Sequence, residues 1–182
     1  MKQHVFISLR ITLALLVLTC GVYPVVVWAI GQTFFPHQAN GSLLTRGGKV
    51  IGSTLIGQDF TGERFFHPRP SSSGYDPSAS GGTNRGPTSK KLLDALTERT
   101  AKYGDTKPAG GIPADAVTAS CSGVDPHISP ENAASQAARV ARANGLPLGR
   151  VQALIAAHTE ARFLGIFGEP RVNVLLLNLD VR

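Results

Sequence analysis

The chain has 182 residues, 42% hydrophobic and 16% charged, with 18 lysines and arginines against 12 acids and a formal net charge of +6. All twelve acids lie at or beyond Asp59, and residues 11–31 carry no ionisable charge at neutral pH. A distribution this uneven excludes a plain soluble globular domain, a disordered tail and a small disulfide-framed secreted protein.

Twenty-one uncharged residues (11–31) in helical form span roughly 30 Å, the thickness of a bilayer's hydrocarbon core. Leu13, Leu15, Leu16, Val17, Leu18, Val25, Val26, Val27 and Ile30 fall on every side of that helix. Lipid contact demands such all-round apolarity, whereas a helix packed on a core shows one stripe. Pro24 is expected to kink it, and Tyr23 and Trp28 suit an interface. A cleavable signal peptide is the alternative, since Val27-Trp28-Ala29 has small residues at cleavage spacing, but its apolar region would be shorter, about 7–15 residues. Lys2 and Arg10 precede the span, and nothing basic follows until Arg46 and Lys49. The bias predicts a cytoplasmic N-terminus, with the rest of the chain outside the cytoplasm in an inner-membrane protein.

The chain therefore divides into a flank (1–10), a transmembrane helix (11–31), a tether (32–48) and one soluble domain (49–182). Residues 49–57 read as a strand closed by glycine. Residues 67–88 are crowded with proline, glycine and serine, and no regular structure is expected there. A connector this long is functional or disordered, because passive ones run to about 4–6 residues. Thr88 or Ser89 can cap a helix to about Tyr103, ended by Gly104, with Leu92, Leu93, Leu96 and Tyr103 on its apolar side. A second loop covers 104–128. Ser129-Pro130-Glu131 joins a capping hydroxyl, a first-turn proline and a carboxylate at the positive end of the helix dipole. The alanine-rich helix that follows should stop at Gly145 and allow close approach of a neighbour. After Pro147 a third helix places Val151, Leu154, Ile155 and His158 on one stripe. Residues 172–181 read as a strand buried on both faces. The expected fold is a single N-terminal transmembrane helix followed by one small α/β (α+β) soluble domain.

Chemistry-bearing patterns are sparse. Cys20 lies in the apolar helix and Cys121 is alone in the rest, so no intrachain disulfide is expected. The segment Ser80-Gly81-Gly82-Thr83-Asn84 is superficially like the Ser-Gly-Gly core of the ABC-transporter signature, but no G-x-x-x-x-G-K-[ST] motif accompanies it. A nucleophile reading would use Ser122 or Cys121 with His127 and Asp125. Triad members normally converge from separate segments, and G-x-S-x-G is absent. A membrane-anchored serine hydrolase using Ser122 and His127 is thus the alternative function. His4, His37, His67, His127 and His158 are too dispersed for a metal motif, and one basic doublet, Lys90-Lys91, does not make a nucleic-acid surface.

Several blocks in order resemble the C subunit of the Kdp high-affinity potassium-transporting P-type ATPase. They are Gly52-Ser53-Thr54-Leu55-Ile56-Gly57-Gln58-Asp59-Phe60, Phe66-His67-Pro68-Arg69-Pro70-Ser71, the polar loop from Tyr75 to Thr88, Pro113 to Ser120, Ser122 to Pro130, and Gly168 to Leu175. The chain departs from the family at Cys121, where glycine is usual, and at Arg85, where an apolar residue is usual. The resemblance implies a non-catalytic accessory subunit in the bilayer. Its implied partners are a potassium-conducting A subunit, an ATP-hydrolysing B subunit and a small F subunit. It further implies a catalytic chaperone that raises the ATP affinity of the B subunit, with ATP shared between the two. Ser80, Gly81, Gly82, Thr83, Asn84, Ser120, Ser122, Asp125 and His127 are the candidate nucleotide or partner contacts, because they offer backbone amides and hydroxyls. Potassium is the cargo of the complex and not an expected ligand of this chain.

Overall fold

The computed structural model describes residues 2–103, 108 and 110–181. It has two compact units, Met1–Ser53 and Thr54–Arg182.

In the first unit, α1 (Lys2–Leu16), a π-helical segment (Val17–Val22) and α2 (Tyr23–Phe34) form one continuous helix of 33 residues with no buried side chain. The wider π-type winding sits just ahead of Pro24. Proline has no N–H for the carbonyl four residues back, and its ring crowds that carbonyl, so local rewinding relieves the conflict. The Thr19 and Thr33 hydroxyls donate to the Leu15 and Ala29 carbonyls at 2.7 Å each, which satisfies them within the helix as a hydrocarbon surround requires.

The segment expected to be a plain tether is structured. It holds the short helix α3 (Pro36–Ala39) and the strand β1 (Leu43–Arg46), paired antiparallel with β2 (Lys49–Ser53). Gly47 and Gly48 join them with φ of +59° and +76°, the two-residue turn whose twist matches paired strands. The strand expected over 49–57 ends at Ser53, opposite Leu43, the first residue of its partner.

The second unit is built on a three-stranded antiparallel sheet of β3 (His127–Ile128), β4 (Thr159–Glu160) and β5 (Arg171–Asn173), in the order β3-β5-β4. Its helices are α4 (Lys90–Ala101), α5 (Ala114–Val117), α6 (Pro130–Asn144), α7 (Leu148–Ala157) and α8 (Val174–Asp180). The α6 start is as expected: Ser129 Oγ accepts from Asn132 N at 3.0 Å with Pro130 in the first turn. Gly145, at φ +66°, ends the helix. Ala133, Ala137 and Ala141, one turn apart, are buried where α6 packs on α7.

Three expectations change. On α4 Leu93 faces solvent and Leu92 and Leu96 are only half-buried, while Gly104 lies outside the described residues. Loop 104–128 contains the one-turn helix α5. The C-terminal run is a strand only over Arg171–Asn173. There Asn173 Oδ1 accepts from Leu176 N at 3.2 Å and caps α8. Val174, Leu175, Leu177, Asn178 and Val181 are buried at helical spacing, a periodicity masked in the sequence by the half-buried Leu176 and Leu179 among them.

Phe66 belongs to the core, fully buried and in one cluster with Ile128, Val140, Val151, Val172 and Leu177. It stands on a segment with no regular structure, so its backbone polar groups need other partners. Asn178 supplies them: Phe66 N donates to Asn178 Oδ1 at 2.7 Å, and Asn178 Nδ2 donates to Phe66 O at 3.0 Å. Gln136 of α6 does the same for the next residue, accepting from His67 N at 2.7 Å and donating to His67 O at 3.1 Å. Arg139 and Asn144 donate to the carbonyls of Glu63, Phe65 and Arg64 at 2.7–3.0 Å. Asn178→Leu leaves two buried backbone groups unpaired and should cost about 2–4 kcal/mol, read from denaturant unfolding of the full chain in detergent.

Candidate functional site

The two polar segments singled out in the sequence lie side by side in the second unit. Ser80 Oγ and Gly81 N both donate to Ser122 O, at 2.9 and 2.8 Å. A Cβ on Gly82 would come within 2.7 Å of Cys121 O, so glycine is what lets the backbones approach. Thr83 and Asn84 are exposed beside this junction.

A third segment, absent from the sequence-based candidates, completes the cluster. Ser71 Oγ donates to Gly123 O at 2.6 Å and accepts from Ser73 N and Tyr75 N at 3.1 and 3.0 Å. Ser120 N donates to Pro70 O at 3.0 Å, and buried Ser120 Oγ accepts from Gly123 N at 2.9 Å. Gly123 has φ +73°, and a Cβ there would collide with Ser73 Oγ, so this position suits glycine alone. Tyr75 OH donates to Arg69 O at 2.6 Å, and its phenol is pushed up to about 12 by burial and by Asp59 nearby. The Ser71-Ser72-Ser73 run was the available signal, since consecutive hydroxyls before glycine favour backbone capping.

Cys121, the departure from the usual glycine, is exposed and not among the positive-φ residues. A side chain is therefore accommodated there without the backbone strain that a left-handed position would impose.

One side of the cluster opens on a cleft of about 630 Å³ whose lining includes Arg69, Asp115, Asp125, His127, Glu131 and Arg171. Arg69 Nη1 donates to Asp125 Oδ2 at 3.1 Å, and Asp125 Oδ1 accepts from His127 N at 3.0 Å. Burial alone would raise the Asp125 carboxyl, but hydrogen bonds from His127 and the Arg69 charge outweigh it and hold it below its ordinary value. Asp115 is engaged at the head of α6, accepting from Ser129 N, Ser129 Oγ and Asn132 Nδ2 at 2.7–3.1 Å. His67 is held below its usual range, first by burial and then by the Arg139 charge.

The Gly81, Gly123 and Val124 amides already donate to partners within the chain. Ser122 Oγ accepts from Val124 N at 3.2 Å, while His127 Nδ1 faces Asp125 at 3.7 Å. Ser122 and His127 are thus engaged separately, not as a nucleophile and its base. Among the described residues no group of three His, Cys, Asp or Glu side chains could hold a metal. The three segments form a rigid platform of interlocked loops.

A helix long and apolar enough to cross a membrane, with no buried side chain, followed by a small α+β domain, is consistent with a single-pass membrane protein. Residues 5–182 match the family model described as KdpC, K+-transporting ATPase, c chain, and the chain belongs to that family. It is 55% identical over 170 residues to the potassium-transporting ATPase KdpC subunit of Rhodospirillum rubrum, covering 91% of this chain and 88% of the relative. The KdpC subunit of Geobacter sulfurreducens is 54% identical, covering 90% and 88%. That of Mycobacterium tuberculosis is 51% identical, covering 98% and 97%.

Because the folded pKa of Asp125 is depressed, its stabilisation is complete above the ordinary value of 3.8 and is lost as pH falls through the lower folded value. Asp125→Asn should lower the thermal midpoint of the full chain at neutral pH. The two midpoints should converge in acid below 3.8, as measured by circular dichroism in detergent across that range.

Proposed function

We propose that this chain is an accessory subunit of a potassium-transporting ATPase complex, holding the assembly together and contributing no catalytic group. The observation that carries this reading is the combination of an unburied apolar span with a domain whose hydroxyls and amides are engaged with one another. The domain partners would be the other subunits named by the family resemblance: the potassium-conducting A subunit, the ATP-hydrolysing B subunit and the small F subunit. Lys2 and Arg10 ahead of the span support a cytoplasmic N-terminus, which leaves the domain on the outer face, where potassium enters the A subunit.

In this arrangement the chain raises the ATP affinity of the B subunit as a catalytic chaperone acting through assembly, since cytosolic ATP does not reach residues 80–84 or 120–127. The occupied Gly81 and Gly123 amides favour the same view. Photo-labelling with an ATP analogue in sealed, oriented vesicles tests it directly, and label on those loops would replace coupling by assembly with shared nucleotide.

Deleting the chain should abolish potassium-dependent ATPase activity of the purified complex; normal pumping without it would end the reading. A reporter enzyme fused after Arg182 should be active only outside the cytoplasm, and cytoplasmic activity would reverse the topology.

A further inference from the structure

The first unit leaves its apolar helix by doubling back. A Cβ on Gly31 would stand 3.7 Å from the Ala39 Cβ, and Asn40 Nδ2 donates to Gln32 Oε1 at 3.2 Å. Asn40 Nδ2 also donates to Pro36 O at 2.6 Å, and Ser42 N donates to His37 O at 2.9 Å. Ser53 Oγ donates to Gly41 O at 2.7 Å and fastens the far end of the β1–β2 hairpin to the same bend. The hairpin therefore starts beside the end of the uncharged span rather than at a distance from it. Strand β1 has four residues, roughly 13 Å at about 3.3 Å each, which keeps its tip close to the headgroup layer of a bilayer.

That tip carries an unbalanced pair of charges. Arg46 and Lys49 flank the Gly47-Gly48 turn as direct cross-strand partners, and both are exposed. Like charges placed directly opposite in a ladder repel and weaken it. No acid stands anywhere in residues 1–53, and among the described residues neither cation enters an ion pair. A two-stranded hairpin alone is marginal in water, and among the described residues no apolar side chain of this unit is buried to support it. Repulsion and lack of support are both relieved by an anion held between the two cations.

We propose that the β1–β2 hairpin is a headgroup clamp, in which Arg46 and Lys49 together hold the phosphate of an anionic phospholipid in the leaflet from which the helix emerges. The proposal rests on the chain spanning a membrane, and not on which side its domain lies. Continuity with the span favours a lipid over a soluble anion, because the hairpin is hydrogen-bonded to the end of the helix itself. Trp28, Phe34 and Phe35 are exposed on the last turns before it, as suits the depth where acyl chains give way to headgroups. Leu43 and Val50, exposed on the hairpin, add apolar surface to the same boundary. Arginine supplies a planar fork and lysine a compact charge, two complementary ways of holding phosphate oxygens.

The test uses the full chain in phosphatidylcholine vesicles with a trace of phosphatidylglycerol that carries a photoactivatable diazirine on its headgroup. Illumination should label residues 43–53. Arg46→Gln combined with Lys49→Gln should reduce that labelling about tenfold, since each basic residue near an anionic surface contributes severalfold. Both side chains are exposed, so circular dichroism should show the fold unchanged. Undiminished labelling of the double variant would overturn the clamp, as would equal labelling by a phosphatidylcholine probe of the same design. Loss of labelling in added inorganic phosphate at constant ionic strength would overturn it too, by making the ligand a soluble anion. In the intact complex in its native membrane, p-benzoylphenylalanine introduced at Arg46, with Lys49 retained, should form lipid adducts. A cross-link chiefly to another subunit or to a second copy of this chain would end the proposal. If the double variant misfolds, Lys49→Gln alone and the cross-link at Arg46 decide. Release of the unaltered chain from vesicles by an alkaline wash would instead remove the membrane span on which the clamp depends.

Discussion

Phe66 is fully buried in the core on a stretch of backbone that belongs to no helix or strand, and two helices of the second unit supply the groups that make that possible. Burying a peptide group without a partner costs more than a hydrogen bond normally contributes, so an apolar anchor on irregular backbone is stable only if something replaces the missing ladder. Side-chain amides and one guanidinium do so. Asn178 from α8 and Gln136 from α6 each offer one donor and one acceptor to consecutive residues, imitating the edge of a strand. Arg139 and Asn144 extend the imitation backward along residues 63–65. Two helices far apart in sequence are thereby tied to the same extended segment.

That tie positions the polar platform. The segment continues through Arg69 and Pro70 into the serine run, whose hydroxyls and carbonyls lock onto residues 120–123. Residues 80–82 then close over the same backbone, with Gly82 at a distance only glycine allows. Hydrogen bonds of this kind add little net stability one at a time, but together they leave the loops a single arrangement. A loop system with its amides turned inward suits presentation of a fixed surface to another protein. The exposed apolar turn at residues 163–167 has the same character, with the amides of Phe163, Gly165, Ile166 and Phe167 satisfied within the turn.

Local chemistry explains which parts could be read from the sequence. The apolar span was legible because the absence of charge over residues 11–31 needs no tertiary context. Helix α6 was legible because its start and stop are written in neighbouring residues, Ser129 with Pro130 at one end and Gly145 at the other. The approach of residues 80–84 to 120–127 was foreshadowed only as two separate polar clusters. Their junction, and the part played by Ser71, Ser73 and Arg69, depend on pairs up to 56 positions apart and have no local signature.

The C-terminal run marks the boundary between the two kinds of information. Composition alone determined that most of residues 172–181 would be buried, that an apolar helix would precede a small mixed domain, and that the α6 alanines would meet a neighbour. Only the tertiary structure decided that the run turns at Asn173 from strand to helix, because the four consecutive apolar residues 174–177 fit both periods equally. The choice falls to Asn178, which reaches the Phe66 backbone from a helix one turn beyond Val174, and to the cap that Asn173 places on Leu176. Burial can be read from residue type, but the partner that satisfies a buried polar group is set by where the rest of the chain has already folded.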